Sequence, residues 1–61
     1  EDLAASKLAA GREKDLDFVV ACLRHGLVKA PGLRARVATL PGEYSTRAAS
    51  ALTQCEARAG K

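Results

Sequence analysis

Alanine dominates the apolar inventory of this chain, and that limits what the chain can fold into. Thirteen of its 29 hydrophobic residues are alanine, and the large ones are eight leucines, four valines, Phe18 and Tyr44. Such a set suits helices whose backbones approach closely, and it cannot fill a thick core. Residues 1–61 form one small domain at most, and a chain this short buries only about 60% of its unfolded surface. A margin that thin predicts dependence on a homo-oligomer or on further sequence. There is no methionine, so Glu1 is not a natural start, and the chain is expected to be a C-terminal fragment of a longer protein.

Glycine and proline divide the sequence into helical stretches. Helix A is predicted over Leu3–Ala10, with Asp2 as N-cap and Gly11 as its stop. Helix B follows an Arg12-Glu13-Lys14 elbow, capped by Asp15 and ending at Gly26. Its Leu16, Val19, Val20, Leu23 and Leu27 share one stripe. Phe18 and Cys22 form a second stripe, so the apolar arc spans over half the circumference, and helix B should be central with partners on two sides. Ala30-Pro31-Gly32 opens helix C, with Pro31 suited to its first turn. Leu33, Val37 and Leu40 make its narrow stripe before Pro41-Gly42 ends it. Helix D is predicted from Tyr44 to Ala59 and closes at Gly60, with Tyr44, Ala48, Ala51, Leu52, Cys55 and Ala59 on one face. No segment alternates with period two and no repeat appears. The expected fold class is all-α: four short helices, the first two forming a hairpin, with helices C and D covering one side of helix B.

Composition excludes several classes. No apolar run approaches the roughly 18 residues of a membrane span, so no membrane partner is expected, and no basic n-region with an apolar h-region suggests secretion. Cys22 and Cys55 are too few for a disulfide scaffold and lie inside predicted helices. Together with a lone His25 and no zinc-type spacing, they read as buried reduced thiols of a cytoplasmic protein. The formal charge is +3, with 17 charged residues of both signs spread along the chain. Nucleic-acid modules concentrate their cations on one face, so specific nucleic-acid binding is not expected.

Few side chains suggest chemistry. Lys7 falls between Leu3 and Leu8, on the side of helix A that would otherwise pack inward. Its stem would be buried and its ammonium wet, or the ammonium would point into a cleft to bind phosphate. At the elbow, Asp15 and Asp17 complement the start of helix B while Arg12 and Lys14 are solvated partners. Alternatively, Arg12 clamps phosphate oxygens beside Lys7 and Asp15 orients the lysine. Asp15 and Asp17, two apart on a helix, make a poor chelating pair, and no metal site is expected. His25 complements a helix C-terminus. Arg34, Arg36 and Arg47 read as solvated helix faces, and Tyr44 is expected to seal helix D against helix C with its hydroxyl wet.

The stretch Asp2-Leu3-Ala4-Ala5-Ser6-Lys7-Leu8-Ala9-Ala10-Gly11-Arg12-Glu13-Lys14-Asp15-Leu16-Asp17-Phe18 resembles a D-L-x-x-x-K-L-x-A-x-R-x-K-D-x-x-F segment. That segment lies near the C-terminal end of a family of bacterial nucleotidyltransferase-like proteins of uncertain function, relatives of abortive-infection and toxin–antitoxin nucleotidyltransferases. The similarity runs from Asp2 to Val28. It implies a helical piece of a larger α/β protein whose N-terminal nucleotidyltransferase domain would be its partner. It also implies that Lys7, Arg12 and Asp15 serve as phosphate- or nucleotide-binding residues. In that family a Gly-Ser or Gly-Gly turn followed by paired acids holds the nucleotide and a divalent metal such as magnesium. No such turn occurs here, so the resemblance implies no cofactor and no catalytic residue in this chain by itself. Related toxin families carry a second aspartate three residues after the first, where this sequence has Phe18, and Asp17 acquires no role from the comparison.

Two other readings compete. One is a stand-alone helical dimerisation or interaction module, driven by the wide apolar arc of helix B. The other is a small helix-turn-helix nucleic-acid binder with Arg34 and Arg36 on its recognition helix. Helix C is short for that task and lacks Asn, Gln or Lys at its start to read base edges.

Overall fold

A computed structural model describes residues 2–60, and among them every regular element is a helix. The order is α1 (Asp2–Ala10), α2 (Glu13–Arg24), α3 (Ala30–Val37) and α4 (Gly42–Ala59). Helices α1 and α2 are joined by two residues, pack together as a hairpin and both rest on α4, which also contacts α3. The chain is therefore organised around α4 and not around α2. Helix α2 does have partners on two sides, α1 and α4, whereas α3 leans on α4 and α1.

The small residues explain this arrangement. Ala48, Ala51, Leu52 and Cys55 recur at helical spacing and make one buried face of α4. Ala4, Ala5 and Leu8 do the same on α1. Leu8, Val19, Leu33, Val37, Leu52 and Cys55 fill the space between them. Each such aliphatic side chain contributes about 1.5–3 kcal/mol when taken out of water, while the alanines let the helices come close enough for these contacts to form.

Three expectations shift. The inward face of α1 is the alanine side, leaving Leu3 60% exposed and Lys7 at the edge, because a small face packs more closely than a leucine does. Asp2 and Asp15 lie inside helices and not at their caps: α2 begins three residues earlier than expected, with Arg12 as N-cap in place of Asp15, so Asp15 occupies its third position. Leu27 leaves the apolar stripe of α2, because the helix stops at Arg24 and Gly26 adopts φ 71°. There the Leu27 amide donates to the Cys22 carbonyl at 2.9 Å and the Gly26 amide to the Leu23 carbonyl at 3.3 Å. This left-handed helix end turns the chain before residue 27 can join the stripe.

Candidate functional site

The elbow between α1 and α2 gathers the three residues singled out from the sequence. Gly11, at φ 70°, ends α1 with its amide donating to the Lys7 carbonyl at 3.0 Å, and extended Arg12 starts α2. That sharp reversal lays the first turn of α2 against the last turn of α1. Asp15 stands one helical turn before Val19 and therefore heads the buried stripe of α2, itself only 2% exposed. A carboxylate placed there requires partners, since an unpaired buried charge is strongly unfavourable.

Both partners are supplied locally. Arg12 Nε donates to Asp15 Oδ2 at 2.9 Å, and Lys7 Nζ lies 3.5 Å from Asp15 Oδ1. The Arg12 hydrogen bond holds the Asp15 carboxyl below its ordinary range against the opposing effect of burial, and the charges of Arg12 and Lys7 act in the same direction. The Lys7 ammonium also sits 5.8 Å from the centre of the Phe18 ring, within cation–π range. Lys7 thus neither simply snorkels nor points into a cleft, because its charge is directed at a buried carboxylate. The geometry makes Asp15 an anchor between the two helices, with Lys7 and Arg12 still partly open to solvent.

The remaining charges lie on the solvated faces expected, and several of them also pair across helices. Asp17 pairs with Arg58 at 2.6 Å, an interaction that raises the Arg58 pKa, so Asp15 and Asp17 serve separate contacts. Arg24 donates to the Arg58 carbonyl at 3.1 Å, satisfying the end of α4. Arg34 bonds to Glu56, with Thr53 at 3.4 Å. Arg36 pairs with Asp2, fastening α3 to α1 and lowering the Asp2 pKa. These cross-helix pairs were not visible from the sequence, since their members are separated by 19 to 41 residues. Lys14, His25 and Arg47 are exposed, as is half of Tyr44.

Both cysteines are free and buried. The Cys55 thiol donates to the Leu16 carbonyl at 3.7 Å, and burial pushes its pKa up. A thiol in that setting is a poor nucleophile. Among the described residues no group of three His, Cys, Asp or Glu side chains is placed to hold a metal, and no helix is long and apolar enough to cross a membrane. Comparison with protein-family models, with curated proteins and with solved structures finds no match.

Proposed function

We propose that this chain is a helical interaction module whose exposed apolar side chains receive a macromolecular partner. The observation behind this reading is that Leu3, Phe18, Leu27 and Tyr44 are 40–74% exposed in a protein with only 14 large apolar residues. A small domain that withholds this share from its own core has apolar surface available for an interface. The test is whether these side chains belong to the fold. Changing Leu27 or Leu3 to Ser should leave chemical-denaturation stability within about 0.5 kcal/mol, as for surface positions, while weakening association. A loss of several times that would assign the side chains to the core and remove the basis of the reading.

One observation favours a second reading, in which the elbow handles phosphate as part of a nucleotidyltransferase-like protein. Lys7 and Arg12 flank one carboxylate that orients both, and preorganised cations suit phosphate oxygens. Titration with inorganic phosphate and ATP, followed at the amides of residues 7–15, examines it. Saturable shifts lost in Arg12→Gln would support this reading. Their absence at millimolar ligand would leave Lys7, Arg12 and Asp15 a helix clamp.

A further inference from the structure

The connection from α2 to α3 carries a groove of about 230 Å³ lined by Leu23, Gly26, Val28, Lys29, Ala30 and Pro31. Small-molecule sites are usually larger, from about 300 Å³ upward, so this one has the scale of a single anchoring side chain. Leu27 lies in sequence between the lining residues Gly26 and Val28, 74% exposed and the most exposed large apolar residue described. A residue just past a left-handed helix end commonly folds back onto the last turn, here towards Cys22. Leu27 does not.

The electrostatics of this end are one-sided. Residues 18–42 include no aspartate or glutamate, while Arg24, Lys29, Arg34 and Arg36 all fall within them. Arg34 and Arg36 meet Glu56 and Asp2, and Arg24 meets a carbonyl. Lys29, on the wall of the groove, forms no ion pair with any described carboxylate. Its neighbour in sequence across the turn, His25, is exposed.

We propose, building on the interaction-module reading, that this groove docks an acidic segment of a partner protein. One aliphatic side chain of the segment enters between Leu23, Val28 and Pro31 and packs on Leu27, while its carboxylates face Lys29 at the N-terminus of α3. Charge complementarity selects this occupant. A second copy placed across a two-fold axis would set this cation-rich patch, which has no acid of its own between residues 18 and 42, against itself. A membrane surface offers no projecting side chain to fill a concave site.

The probe is a twelve-residue peptide with leucines at i and i+4 and four glutamates, added to the isotopically labelled 61-residue chain at about 0.15 M salt. Amide shifts should cluster at Gly26–Ala30. Lys29→Glu and Leu27→Ser, each checked for unchanged helicity, should weaken binding about tenfold, or about 1.4 kcal/mol. The same peptide with its glutamates replaced by lysine should not bind. Equal binding of the lysine peptide, absence of shifts, preference for phosphatidylserine vesicles over the peptide, or self-association lost on Leu27→Ser would each overturn the proposal. Shifts centred on Leu3 and Phe18 would also overturn it while leaving the interaction-module reading intact.

Discussion

The two connections flanking α2 are built from the same backbone device and come to opposite ends. Each starts with a glycine in the left-handed region, Gly11 at φ 70° and Gly26 at φ 71°. Each then places an extended basic residue at the N-cap of the next helix, Arg12 before α2 and Lys29 before α3. The third helical position decides the difference. In α2 it is Asp15, which accepts from Arg12, draws in Lys7 and locks the hairpin. In α3 it is Gly32, which offers nothing to Lys29. The first connection closes its charge inside the fold, and the second leaves cation and leucine facing outward. One carboxylate separates a buried clamp from an exposed turn.

The largest expected effect contrasts two leucines of the second connection. Leu23 is 2% exposed and walls both core and groove. Leu23→Ala should cost about 2–5 kcal/mol in urea denaturation, much of the stability available to a domain this small. Leu27→Ala should stay within about 0.5 kcal/mol. Comparable losses at both would erase the distinction between packed and presented side chains.

At the first connection, Asp15→Asn removes the charge that Lys7 and Arg12 share while keeping the shape. It should lower the thermal midpoint clearly, and Lys29→Gln should not. Equal effects would mean that the elbow is no more a clamp than the turn is.

A single substitution should convert the turn into an elbow. Gly32→Asp should supply Lys29 with an acceptor at the third position of α3. Favourable charge at a helix start and a less flexible unfolded chain together suggest a gain of about 0.5–1 kcal/mol. Acidic-peptide binding should fall at the same time. Stabilisation without loss of binding would show that Lys29 is not part of the docking surface.

How much of this was legible in the sequence depends on how local each cause is. Four helices, their order and the stops at Gly11 and Gly26 follow from neighbouring residues and were readable. So was the convergence of Lys7, Arg12 and Asp15, whose members lie within nine residues across one tight reversal. Leu27 was misplaced because continuing the stripe of Val19, Val20 and Leu23 by periodicity ignores a helix end that comes first. The role of α4 as the hub was hidden because Ala48 and Ala51 carry little hydrophobic weight and matter through close approach. The pairs Asp17–Arg58 and Arg36–Asp2 depend on tertiary placement, which no local pattern encodes.

A smaller effect belongs to the ring beside the clamp. With Lys7 Nζ 5.8 Å from the Phe18 centroid, Phe18→Leu should cost about 0.5 kcal/mol, and Lys7→Met combined with it should be less than additive in a double-mutant cycle. Full additivity would show that the ring and the ammonium act independently.

The central claim is that Asp15 is a buried carboxylate kept charged by Lys7 and Arg12. Residue-resolved carboxyl NMR across acid pH tests it most directly, because burial alone and pairing shift a carboxyl in opposite directions. Asp15 should titrate below the ordinary aspartate value of about 3.9. A carboxyl depressed in the folded state stabilises the protein above its unfolded pKa, and that contribution is lost as pH falls through the folded value. Stability should therefore hold down to about pH 4 and decline below it, with the decline reduced in Asp15→Asn. An Asp15 pKa at or above the ordinary value, with the same acid dependence in Asp15→Asn, would contradict the clamp.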